Sequence, residues 1–206
     1  METKLDEDDL DKIKLKQVNH TGTDLKEAKF KKFYLEGADL REANLEGFNL
    51  EEANLRGANL NWTNLRNANL RGANLINANL IGADLRKANL EGVNFEKANL
   101  KQANLEAANL EGANLCRANL ELAELRWAKL INSYLVETNF MATDLYWASL
   151  KGANLEGANL TWTNFKGADL EGANLDRANL SEAHYLRLGQ LSKVETFYNR
   201  SLYFRT

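Results

Sequence analysis

Leucine or phenylalanine stands at every residue number divisible by five from Leu25 through Leu180, thirty-two times without an insertion that shifts the phase. An alanine usually lies two places earlier with asparagine or aspartate between, as in Ala53-Asn54-Leu55. No common element has this period. On an α-helix, residues five apart are displaced by ~140° and wind around every face, and on a straight strand an odd spacing throws successive leucines to opposite faces. The chain therefore turns once per pentapeptide. The pattern predicts a short strand, with Ala and Leu inward and Asn outward, followed by a two-residue corner.

Glycine marks the corner. Twelve of the thirteen glycines, among them Gly37, Gly57, Gly82 and Gly167, lie two residues past a multiple of five, and only Gly189 falls outside the set. A type II turn takes a positive φ at its third residue, which Gly adopts freely and Asn tolerates, as at Asn67, Asn77 and Asn132. The length of one coil follows from rarer residues. Thr23, Thr63, Thr143 and Thr163 replace the inward Ala at separations of 40, 80 and 20 residues, and Trp127 and Trp147 are 20 apart. A fifteen-residue triangle would scatter them. The expected fold is an all-β solenoid whose coil has four sides of five residues, with about eight regular coils over residues 21–180 stacked as parallel strands ~4.8 Å apart. Leu55, Leu75, Phe95 and Leu115 are then one interior ladder.

This run of A-N/D-L-x-x units resembles the pentapeptide-repeat family across residues 21–180. The resemblance implies a right-handed quadrilateral parallel β-helix. It implies little about activity, because a fold does not determine what is done on its surface.

The ends depart from the pattern. Leu5, Leu10 and Leu15 keep the phase, but Asp8 would point inward and His20 replaces a leucine. Residues 1–20 are expected to form an N-terminal segment and cap, residues 21–185 the β-helix and residues 186–206 a C-terminal cap. Within that cap Leu188, Leu191 and Val194 recur at helical spacing, which predicts a short amphipathic helix from about Leu188 to Phe197 over the open end of the core.

Composition narrows the function. The charged fraction is 27% and no apolar run approaches the ~18 residues of a membrane span. The start, METKLDEDDLDK, has neither a basic nor a hydrophobic leader region, so a soluble cytoplasmic protein is expected. Cys116 is alone at an outward corner and reads as a reduced surface thiol. His20 and His184 sit at opposite ends of the column, ~38 Å apart for eight coils, and cannot share a site. Glu91 and Glu111 stack on adjacent coils at ~5 Å, a spacing that suits paired acid/base chemistry, but on a convex surface without a cleft they read as solvated charges. There is no metal-ligand spacing, phosphate-cradling loop or nucleophile triad. The reading is a non-enzyme with no cofactor and no metal.

A relative of this fold imitates DNA toward DNA gyrase, so the resemblance also implies an alternative: a DNA-mimicking, topoisomerase-protecting protein. B-DNA carries one charge per ~1.7 Å, and a column of ~38 Å would need about 22 negative charges to match it. The whole chain has 26 Lys+Arg against 29 Asp+Glu. Arg56, Arg66, Arg71, Arg86, Lys97 and Lys101 interrupt any acidic stripe, and Glu46, Glu91, Glu106 and Glu111 interrupt any basic one, so no nucleic-acid partner is expected.

The outward surface breaks its own monotony in one place. Trp62, Trp127, Trp147 and Trp162 all occupy the corner position where Gly is usual, and under a twenty-residue coil both pairs flank the same side. Residues 126–148 add outward Ile131, Tyr134, Val136, Met141 and Tyr146. Contiguous apolar patches mark interaction sites. The candidate protein-interaction patch is Leu122, Arg126, Trp127, Met141, Tyr146, Trp147 and Trp162, and its occupant is an unidentified protein partner or a second copy of the chain. The preferred function is a rigid, regulatory interaction scaffold.

Overall fold

The computed structural model describes residues 35–186 and Gln190. Within them, single-residue parallel bridges join each outward residue to the one twenty positions on, from Asp39↔Asn59 to Asn164↔His184. One coil is therefore four pentapeptides, and the chain is a four-sided parallel β-helix. We number the sides by their outward residues: side 1 carries Asp39 through Asn179, side 2 Asn44 through His184, side 3 Asn49 through Asp169, and side 4 Asn54 through Asn174. Sides 2 and 4 face away from each other.

The interior is a column of stacked apolar side chains. Leu55, Leu75, Phe95 and Leu115 are completely buried and form the expected ladder. Their N–H groups donate to the carbonyls of Asn74, Asn94, Asn114 and Tyr134 at 2.7 to 2.8 Å. Each buried leucine contributes about 1.5–3 kcal/mol of burial, and alanine on the opposite flank of the strand lets the coil close tightly.

Backbone hydrogen bonding explains the outward asparagine. In the pentapeptide Leu60-Asn61-Trp62-Thr63-Asn64, four N–H groups find backbone acceptors: Leu60 on Asn79, Trp62 on Ile81, Thr63 on Leu60 and Asn64 on Ala43. The fifth, that of Asn61, donates to Oδ1 of Asn59 at 3.3 Å. The same short-range bond recurs from Asp39 to Asn179, so the outward Asn or Asp supplies the acceptor that the coil itself lacks. Its Nδ2 is left to run along the stack, as from Asn139 to Asn119 and from Asn159 to Asn139, both at 3.0 Å.

All thirty corners from Gly37 through Glu182 hold a positive φ at the second corner residue, between +54° and +75°, and nineteen of those residues are not glycine. Trp62, Leu122, Lys87 and Arg117 adopt it alongside the expected Gly and Asn. The strain is on the order of 1 kcal/mol at each. It is tolerated because the strained residue's own N–H is bonded to the next coil, as Trp62 is to Ile81 at 2.9 Å. The inward threonines are satisfied too: the hydroxyls of Thr63, Thr138, Thr143 and Thr163 donate to the carbonyls of Leu40, Leu115, Leu120 and Phe140.

At the C-terminal end Tyr185 leaves the phase, with φ +59° and its ring exposed where a leucine would turn inward. Gln190 is helical, and its Nε2 donates to the carbonyl of Ala168 at 2.8 Å. The rest of the expected Leu188–Phe197 helix, the segment 1–20 and the first coil residues 21–34 lie outside the described residues. No helix among the described residues is long and apolar enough to cross a membrane.

Candidate protein-interaction surface

Two corners border side 2. On the first, Trp62, Gly82, Gln102, Leu122, Ala142 and Trp162 hold the left-handed position of successive coils, and on the second Trp127 and Trp147 do so on adjacent coils. All four indoles are more than half exposed. Each is there because the short strand beside it points Ala or Thr and Leu or Phe inward, which leaves the corner as the place where a large side chain meets no core.

The second corner is an aromatic column. Trp127 meets the Tyr146 ring edge-on, with centroids 5.7 Å apart and planes at 85°, and Tyr146 meets Trp147 at 6.4 Å and 79°. Such pairs add about 0.5–1.5 kcal/mol beyond burial. Lys166 Nζ then lies 5.8 Å from the centroid of Tyr146 and 5.7 Å from that of Tyr185, a cation between two rings that stand two coils apart. Arg126 donates from Nε to Asp144 Oδ2 at 2.6 Å, and this bond raises the guanidinium's pKa above its ordinary value. Asp144 Oδ1 takes Asn164 Nδ2 at 2.8 Å and the N–H of Tyr146 at 3.0 Å.

Of the seven candidate residues, Arg126, Trp127, Tyr146 and Trp147 thus cluster on the second corner, while Leu122, Met141 and Trp162 lie on the first. Leu122 donates its N–H to the Met141 carbonyl at 3.0 Å, and Met141 is half-buried. Between the rows run Glu124, Asp144 and Asn164, with Glu124 accepting a bond from Asn104 at 2.8 Å. Tyr134 is elsewhere: it stands exposed on side 4, and Ile131 and Val136 lie on the corners that bound that side. Lys166 and Tyr185 join the surface without having been singled out. Counting twenty residues on from Tyr146 would have pointed to Lys166.

Several of the remaining charged groups pair along the column. Arg71 bridges Glu51 and Glu91 at 3.4 and 3.5 Å, Arg117 meets Glu137 at 2.8 Å, and Lys151 meets Glu171 at 2.8 Å. Glu91 is therefore one rung of an ion-pair ladder, not half of an isolated carboxylate couple with Glu111. Cys116 is half-buried, and its Sγ lies 3.9 Å from the carbonyl of Tyr134. Among the described residues no group of three or more His, Cys, Asp and Glu side chains is placed to hold a metal ion.

The family model for pentapeptide repeats matches residues 34–72, 64–102, 98–135, 118–157 and 143–182, well over half of the chain. No curated protein matches it by sequence. Among solved structures, it is similar to HetL, a pentapeptide repeat protein involved in heterocyst differentiation regulation from the cyanobacterium Nostoc sp. strain PCC 7120. The two are 33% identical over 80% of this chain and 88% of HetL, with a TM-score of 0.59. A trypsin-treated form of QnrB1, a plasmid-mediated fluoroquinolone resistance protein, is 16% identical over 83% of this chain and 87% of its own, with a TM-score of 0.54, a likeness of fold alone.

Proposed function

The chain belongs to the pentapeptide-repeat family, and from that premise we propose that it is a non-enzymatic, rigid cytoplasmic scaffold for protein–protein interaction with a regulatory role. Its contact surface is side 2. The observation that carries this reading is that all four exposed tryptophans border the same side of the square. Tryptophan is over-represented among the residues whose truncation most weakens interfaces, and HetL's involvement in regulation supports the role. The occupant is another protein or a second copy of this chain. The proposal extends to the finer architecture expected from the sequence: right-handed winding, about eight regular coils over residues 21–180 and a capping helix from about Leu188 to Phe197. Sedimentation velocity over a range of concentrations, together with affinity capture from the native extract, tests the reading. A specific partner or a dimer is expected, and a strictly monomeric chain that retains nothing would overturn it.

The alternative, a gyrase-protecting DNA mimic, draws on the fold likeness to QnrB1. The alternation of Arg71, Lys101, Arg117 and Lys151 with their carboxylate partners argues against it, because a mimic needs unbroken negative charge. In a gyrase supercoiling assay with a fluoroquinolone at physiological salt, no protection is expected.

A further inference from the structure

Five times among the described residues a corner residue other than glycine is followed twenty positions later by glycine. Each time its side chain reaches over that glycine: Trp62 over Gly82, Asn132 over Gly152 and Trp147 over Gly167 occupy the space into which a Cβ would point, while Glu52 over Gly72 and Glu137 over Gly157 would meet it at ordinary contact distance, 3.7 and 3.5 Å. Where glycine follows glycine, as at Gly92 and Gly112, that space is open. Corner side chains therefore lean toward the next coil in the C-terminal direction. Two of the five pairs put an indole of side 2 on the bare glycine.

The positive φ does not by itself explain these glycines, since nineteen residues other than glycine, of eight types, hold the same conformation at equivalent corners. The contact does. The six-membered ring of Trp62 covers Gly82 so closely that any Cβ there would collide with Cζ3, Cε3 and Cη2. At Gly167 a Cβ would stand 2.8 Å from Cδ2 and Cε2 of Trp147 and 3.0 Å from its Cγ. Both contacts are with ring atoms of a rigid bicycle, which can yield only by rotating the whole indole away.

We propose that Gly82 and Gly167 are positioning residues of the interaction surface: by leaving the corner bare they let the indoles of Trp62 and Trp147 lie down on the next coil in one orientation, ordered before a partner arrives. Ordering the anchors in advance spares the rotamer entropy that binding otherwise costs. The proposal rests on the reading of side 2 as that surface, and it adds that two of the four anchors are set by the fold while Trp127, followed by Trp147, and Trp162, followed by Glu182, are not set in this way.

Fluorine NMR of the full chain labelled with 5-fluorotryptophan reads each indole separately, with the four resonances assigned by single Trp→Phe variants. Gly82→Ala should move the Trp62 resonance toward that of free fluorotryptophan and leave the other three in place, and Gly167→Ala should do the same for Trp147. Gly92→Ala, at nearly the same φ (+62° against +65° at Gly82) but with open space, should move none. Gly82→Asn, which suits the left-handed backbone, repeats the test should the alanine variant fold poorly. An unchanged Trp62 resonance in both Gly82 variants, or an equal shift in Gly92→Ala, would overturn the proposal. No partner is needed, so this outcome is distinct from failure of the interface reading, which the tryptophan variants below test.

Discussion

Sides 2 and 4 are made by the same backbone and present opposite surfaces. Side 4 is a row of Asn54, Asn74, Asn94, Asn114, Asn154 and Asn174 interrupted by Tyr134, and its corners carry Gly57, Gly72, Gly92, Gly112, Gly152 and Gly157. Side 2 replaces asparagine by Asp84, Glu124, Asp144 and His184, and its corners carry the four tryptophans. The difference shows what the fold asks of its exterior. It favours an acceptor for the first corner N–H, which Asn or Asp supplies along most of the column, and it tolerates almost anything at the left-handed corner, since Gly and Trp hold it alike. Tryptophan on side 2 is therefore not demanded by the coil, and its concentration there calls for a reason outside folding.

The change expected to have the largest effect removes both sides together. Leu130, fully buried, is interior to the whole column, so Leu130→Ala should cost about 2–5 kcal/mol in urea denaturation through the cavity it leaves. A loss confined to one side of the molecule would break the account of a single shared core. Next comes Trp127→Gly with Trp147→Gly. This variant should weaken association by about 2 kcal/mol or more, on the order of 30-fold, while the melting temperature stays close to that of the parent because glycine relieves the left-handed strain. If the double variant instead unfolds as readily as Leu130→Ala, the indoles are structural and the contrast between the sides disappears.

A smaller effect sharpens the view from beneath side 2. The Thr143 hydroxyl donates to the Leu120 carbonyl at 2.8 Å, and that carbonyl also accepts the corner N–H of Ala123. Thr143→Val keeps the volume and leaves the carbonyl one partner, so chemical denaturation should show a loss of about 0.5–1.5 kcal/mol with association unchanged. The smallest effect is electrostatic. Desolvation pushes the Asp84 carboxyl up, but the hydrogen bonds and charge of Arg86 outweigh it and hold it below the usual carboxylate value. A lowered folded-state pKa contributes stability that is complete above the unfolded value of about 3.9 and is lost as pH falls through the folded one. Arg86→Gln should therefore cost about 0.2–1 kcal/mol at pH 7, and thermal melts of the two proteins should converge as the pH falls below about 4.

Much of this is legible in the sequence. The five-residue period, the in-out-in strand and the twenty-residue coil follow from leucine, threonine and tryptophan spacing alone, and the ladder of Leu55, Leu75, Phe95 and Leu115 stands as expected. What a one-dimensional pattern conceals is contact between coils. The Asn59 acceptor for Asn61 N–H and the lean of Trp62 onto Gly82 depend on rotamers that spacing does not specify. Proximity in sequence also misleads: Tyr134 lies between Trp127 and Trp147 along the chain, yet in space it belongs to side 4. Residues grouped by position modulo twenty, not by neighbourhood, set it apart from the outward apolar residues of 126–148 that border side 2 and add Lys166 to them.

The central claim is that side 2 binds and side 4 does not. Affinity capture from the native extract, quantified with three baits (the parent chain, Trp127→Gly with Trp147→Gly, and Tyr134→Asn), tests it most directly, because the Tyr134 variant removes an exposed aromatic from the opposite side and leaves side 2 whole. The account predicts that the parent and Tyr134→Asn retain the same partner, or the same second copy of the chain, and that the double tryptophan variant loses it. Equal retention on all three baits, or a loss with Tyr134→Asn as large as with the double variant, would contradict it.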